Sequence, residues 1–303
     1  MNKRGGRAVF AAVLVTAFAV SGALSIKSIA ESRQSMNDYG EAVAVAGFDE
    51  EGSFQEMLIP KECVDDSSVP VTADVGAVTR DEPERADTET VAEAVSGVGS
   101  SFYEDLKNDV IAQRLAETDL DALKEESTGV RGWICIPDTK IDYPLMQGDD
   151  NRFYLEHTWK GEANAAGSIF LESACSEDLS DFNTIIYGHR MRNTTMFGAL
   201  SGYRSQDFYE DHPSIYICAD GYVRKYDVFA AFEPAVTDCT YWVQYTDDGY
   251  KQRVIDFALE NTVIQCGIVP DKDSSIITLS TCTGNGHATR WVVQAVLAGM
   301  IRA

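Results

Sequence analysis

Apolar residues along this chain fall into three regimes. Between Ala8 and Ile26 the run AVFAAVLVTAFAVSGALSI holds 19 residues without a charge. As a helix it just spans the roughly 30 Å of a bilayer's hydrocarbon. Residues 31–100 keep neither a helical nor a strand period, and the stretch TRDEPERADTET (79–90) is charged, broken by proline and without an aromatic. From Ser101 periodicity returns. Tyr103, Leu106, Val110, Ile111 and Leu115 recur at helical spacing, which predicts a helix over 102–116 with these residues on one face. A second short helix is expected from Thr118 to Glu126, with Thr118 as its cap and Leu120 and Leu123 apolar.

Short extended runs between turns come next: GWICI (132–136), IDYPLM (141–146), GSIFLE (167–172), NTIIYGH (183–189), SIYICA (214–219), YVRKYDVFAAF (222–232), SSIITLSTC (274–282) and TRWVVQAVLAG (289–299). The β-branched and aromatic residues in the later runs suit strands. About eight short strands in the C-terminal part predict a mainly β fold, a closed or nearly closed eight-stranded barrel. One helix interrupts them over 249–261, where Tyr250, Val254, Phe257 and Ala258 share a face.

Charge sharpens this division. The chain of 303 residues has a formal charge of −23, which argues against a nucleic-acid partner, since that needs basic surface to displace counterions. The first 30 residues carry Lys3, Arg4, Arg7 and Lys27 and no acid, whereas 31–100 carry 17 acids and four bases. Cations before the apolar run and acids after it orient residues 8–26 as a single-pass membrane segment with the N-terminus cytoplasmic and the remainder outside. Ser21, Gly22 and Ala23 also admit a cleaved signal peptide; the length of the run favours an uncleaved anchor. The acidic stretch cannot bury enough apolar area to offset its chain entropy, so 31–100 is expected to be a flexible stalk. Seven cysteines without a C-x-x-C pair suggest neither a disulfide scaffold nor a structural zinc.

Two strand ends hold the candidate chemistry. The apolar run 184–187 ends in Gly188-His189-Arg190, and the run 276–281 ends in Cys282 before Thr283-Gly284-Asn285-Gly286. A thiol at the end of a buried strand, facing a glycine-rich loop, is placed to attack a carbonyl. Arg290 opens the next run and could return to the same side. Taken singly, each residue has a simpler reading: a buried small hydrophobe, a surface histidine, a solvated arginine. Cys282 and His287, five apart without further ligands, make a weak case for a metal.

TLSTC (278–282), with Arg290 eight residues on and YGH (187–189) before it, resembles the signature of the sortase family. GWICIPDTKIDYPLMQGDDNRFYLEH (132–157), AGSIFLE (166–172), NTIIYGHRMRNTTMFGAL (183–200) and the late helix are similar to its class B branch. The likeness covers about 102–303, so 101–303 is expected to be the catalytic domain, with helices over 101–128 and the barrel over 129–303. The resemblance implies a cysteine transpeptidase without a cofactor or metal. Such an enzyme cleaves a C-terminal sorting motif of secreted proteins through a thioester. It then passes the acyl group to a peptidoglycan-precursor or pilin amine. It further implies Cys282 as nucleophile, His189 as general acid and base, and Arg290 as the stabilising cation. For the substrate groove it suggests Asn151, Leu155, Ser280, Thr237 and Tyr241. Core packing competes for Leu155 and Tyr241, and a strand hydrogen bond for Ser280. The Cys-to-Arg loop TGNGHAT is shorter than in some relatives and the stalk longer. A hydrolase using the same three residues, or a non-catalytic surface module, are the alternatives.

Overall fold

Eight strands close into one barrel in the computed structural model, which describes residues 37–47, 106–245, 247–284 and 286–303. They are β1 (Val130–Cys135), β2 (Asp142–Met146), β3 (Ile169–Leu171), β4 (Asn183–Tyr187), β5 (Ser214–Ala219), β6 (Tyr222–Phe232), β7 (Ile276–Cys282) and β8 (Arg290–Arg302). Around the barrel the order is β1-β2-β3-β4-β7-β8-β6-β5, with β5 returning to β1. The β2/β3 and β4/β7 pairs are parallel and the rest antiparallel. Each extended run expected from sequence supplies one strand. β5 and β6 are joined by Asp220-Gly221, both at positive φ (51° and 72°), the backbone that a two-residue hairpin turn requires.

Strand alternation sorts the apolar side chains into two clusters. Trp133, Phe170, Ile277, Leu279, Val293 and Ala295 belong to the main core. Phe229, Phe232, Ile276 and Val292 instead pack with Val254 and Ala258 of helix Asp248–Asn261 and with Cys239. Each large side chain so buried contributes about 1.5–3 kcal/mol. The late helix starts one residue before its expected boundary. Asp247 caps it, accepting from the N–H groups of Gly249 and Tyr250. Its buried residues are Val254, Ile255 and Ala258, while Tyr250 is exposed.

The N-terminal helices differ from expectation in phase. Asp109 accepts from the N–H groups of Ile111 and Ala112 and so begins a helix at Val110–Ala116. A single helix over 102–116 is therefore not formed: the cap resets the register, and Val110 is 75% exposed. The next helix is Leu120–Glu126, and its cap is Asp119, not Thr118.

Residues 37–45, inside the stretch read as a flexible stalk, form a helix seated on the barrel. Tyr39, Ala42, Val43 and Ala46 are buried in the main core. The Tyr39 hydroxyl donates to the Gly167 carbonyl at 2.5 Å, and its ring meets Tyr143 edge-on. Trp159 Nε1 donates to the Asp38 carbonyl at 2.8 Å, and Lys160 pairs with Glu41. Flexibility is thus not a property of the whole of 31–100. The expected membrane segment, 8–26, lies outside the described residues, among which no helix is long and apolar enough to cross a membrane.

Candidate active site

The two parallel neighbours β4 and β7 end at the same rim of the barrel, and β8, antiparallel to β7, begins there. Topology alone therefore gathers the residues just past β4, the last residue of β7 and the first of β8. Cys282 and Arg290 are register partners on the last rung of β7/β8, so their side chains leave the same face as neighbours. Across the other edge of β7, Tyr187 pairs with Ser280. Contact continues past the strand: Gly188 N–H donates to the Ser280 carbonyl and Thr281 Oγ1 to the Gly188 carbonyl at 2.7 Å. Continued two residues beyond the Tyr187–Ser280 rung, that register runs from position 189 to position 282. By the two-residue period Tyr187, Ser280, Cys282 and Arg290 share one face.

His189 is oriented from behind. Its Nε2 lies 2.8 Å from the Leu155 carbonyl. A carbonyl only accepts, so Nε2 holds a proton, and Nδ1 is the ring atom left to take one and, once it has it, to give it. Leu155 thus contributes its backbone, while its side chain is buried in the main core. The shelf it stands on, Phe153–Leu155, is tied to the chain ahead of β3 through Ser168 N–H, which donates to the Tyr154 carbonyl. Gly167 (φ +57°) is needed there, because a Cβ would come within 2.5 Å of the Tyr154 and Leu155 carbonyl oxygens.

Arg290 is buried, and its Nη1 donates at 3.0 Å to the carbonyls of both His287 and Thr289. These bonds fix the guanidinium against the loop that leaves Cys282. Arg190, beside His189, reaches that loop from the opposite side and donates to the Thr283 carbonyl. The six described cysteines, Cys282 included, are not joined in disulfides, and Cys282 is partly exposed. Burial pushes the thiols of Cys135 and Cys175 up to about 12; those thiols are inert packing groups.

Of the expected groove residues, Tyr241 and Ser280 meet directly, hydroxyl to hydroxyl at 3.0 Å. Burial holds the Tyr241 phenol well above its ordinary value, with the Arg290 cation opposing that shift and the Cys282 thiol adding to it. Thr237 is exposed in the turn between Ala235 and Asp238. That turn flanks the post-Cys282 loop through Val236 N–H, which donates to the Ala288 carbonyl. Asn151 is bonded to the loop after β3: its Nδ2 donates to Glu172 Oε1 at 2.5 Å and its Oδ1 accepts from Ser173 N–H. Sequence reasoning singled out neither Glu172 nor Arg190. Arg190 adjoins the chosen histidine, and Glu172 ends one of the apolar runs, a place where a carboxylate is unusual.

A Sortase domain family model matches residues 134–298. The sortase B of Listeria monocytogenes is 37% identical over 169 residues, covering 54% of this chain and 67% of that protein. A solved structure of a Staphylococcus aureus sortase B–substrate complex superposes with a TM-score of 0.57 at 26% identity, over 71% of this chain and 94% of that one. A sortase B complexed with triglycine superposes with a TM-score of 0.56 at 26% identity, over 71% and 95%.

Proposed function

Since this chain belongs to the sortase family of cysteine transpeptidases, and to its class B branch, we propose that it sorts exported proteins at the outer face of a cell membrane. The Ala8–Ile26 run anchors it and leaves the catalytic domain outside. Its donors are secreted proteins with a C-terminal sorting signal. Its acceptor is an amine of a peptidoglycan precursor or of a pilin. The substrate and triglycine complexes of the sortase B structures support a peptide donor and an amine acceptor.

Cys282, as thiolate, attacks the carbonyl of the scissile peptide bond, and its sulfur forms a thioester as the C–N bond breaks. The departing amine takes a proton from His189. The acceptor amine then gives a proton back to the same imidazole, attacks the thioester and forms a new amide, and the thiolate leaves. Arg290 supplies fixed donors where the carbonyl oxygen gains negative charge, a contribution of about 3 kcal/mol for one such donor. The groove is lined by Ser280, Tyr241 and Asn151, with Thr237 on the flank and Leu155 acting through its carbonyl.

The observation that supports this most is the Cys282–Arg290 register pair, with His189 at the end of the strand beside it. The test offers a library of sorting-motif peptides, with and without amines, to the protein from residue 31 onward, with intact-mass detection. A thioester on the wild type and an amine-dependent ligated product, both absent in Cys282→Ala, are expected. Turnover indifferent to amine would replace this reading with a hydrolase. No adduct on a folded protein would favour a binding module.

A further inference from the structure

Glu172 is 2% exposed, yet no cation is needed to explain its place, because neutral donors surround it. Asn151 Nδ2 donates to Oε1 at 2.5 Å, Ser173 Oγ to Oε1 at 3.2 Å, and the Tyr187 hydroxyl to Oε2 at 2.8 Å. A carboxylate with this many donors is worth its desolvation only if they are held in place. It also links Asn151 to Tyr187 through one carboxylate. Tyr187 stands on β4, opposite Ser280 in register, and Ser280 bonds Tyr241.

The arrangement leaves the Asn151 amide a single orientation. Turned over, its Oδ1 would face the Glu172 carboxylate, acceptor against acceptor, and its Nδ2 would face Ser173 N–H, donor against donor. Only the second Nδ2 hydrogen and the second Oδ1 lone pair then remain to meet a peptide. Glu172 thereby fixes the orientation in which Asn151 presents these two sites and also holds the Tyr187 hydroxyl.

We propose that Glu172 is a positioning residue for the substrate groove: its buried carboxylate orients Asn151 toward the extended peptide, holds Tyr187 in place beside Ser280, and so governs how tightly the sorting motif is held. The proposal rests on the transpeptidase reading above. It is tested by steady-state kinetics of Glu172→Gln, Asn151→Ala, Tyr187→Phe and their pairs, using the best peptide found for the wild type, alongside the rate of Cys282 alkylation by iodoacetamide. Glu172→Gln is expected to raise KM about tenfold with kcat within about twofold, a ratio matching one lost bond to a charged group. Asn151→Ala added to it should cost little more, because both remove the same arrangement. The alkylation rate should not change. Wild-type KM in Glu172→Gln, or additive effects in the pair, would overturn the proposal. If Glu172→Gln does not fold, Asn151→Ala with Tyr187→Phe decides instead. Those two residues meet through Glu172, so non-additivity supports the role and additivity refutes it. Full activity in Cys282→Ala would instead sink the transpeptidase reading itself, a result that none of these variants can mimic.

Discussion

Arg290 illustrates how much a single side chain depends on its strand partner. It is buried, sits opposite Cys282 on the last rung, and spends its Nη1 on the carbonyls of His287 and Thr289. A lysine would keep the charge but lose the planar fork that serves several acceptors at once. Arg290→Lys is therefore expected to lower kcat by about a hundredfold or more, with melting temperature little changed; a near-wild-type kcat in a peptide-ligation assay would contradict that role. Cys282, His189 and Arg290 stand out in the sequence because each sits at the edge of a strand pattern. The Leu155 carbonyl bonded to His189 was not readable, since any residue offers the same backbone oxygen. Glu172 and Arg190 escaped for a related reason: what they do is set by which loop reaches them in space.

Among the elements, the helix over 37–45 has an effect beyond its size. Tyr39 bonds the Gly167 carbonyl, and Gly167 supports the shelf whose Leu155 carbonyl orients His189. Two outcomes are expected. A protein starting at residue 101 should fold but melt several degrees below one starting at residue 31, since it loses the buried Tyr39 and Val43 and on the order of 2–4 kcal/mol of burial. Gly167→Ala should lower kcat more than it lowers stability, because its Cβ displaces the Leu155 carbonyl; the strain of a positive φ alone is about 1 kcal/mol. Equal melting of the two proteins, or an unchanged kcat in Gly167→Ala, would contradict these expectations. In the sequence this helix was hidden by its surroundings. Tyr39, Ala42, Val43 and Ala46 have ideal helical spacing, but the stripe covers two turns within seventy strongly acidic residues, where composition spoke louder. The strands were legible almost to the residue, because alternation and turn residues act locally. Their order around the barrel was not, since periodicity assigns faces but not neighbours.

At the scale of the molecule, burial of thiols links stability to alkaline pH. Cys135 and Cys175 are pushed up to about 12 and Cys218 to about 11, in each case chiefly by desolvation, from an ordinary value of 9.0. In the unfolded chain these thiols ionise near pH 9; in the fold they keep their protons. The folded state then binds more protons than the unfolded state, so stability is intact below about pH 9 and declines as pH rises beyond it. Melting curves between about pH 8 and pH 10.5 should show this decline, reduced in Cys218→Ala relative to wild type. A flat profile would mean that the thiols are less shielded than their burial indicates.

Closure of the barrel has a last consequence. β5 returns to β1, so every strand has a partner on both sides along at least part of its length, and among the described residues no strand leaves a whole edge of N–H and C=O groups unpaired. Many proteins that bind extended polypeptides do so by annealing them to such an edge as one more strand. That route is narrowed here, and side chains and loops are left as the main means of gripping an extended chain, a mode that holds fewer backbone atoms and discriminates more by sequence. The same closure works against copies of the chain zipping together edge to edge.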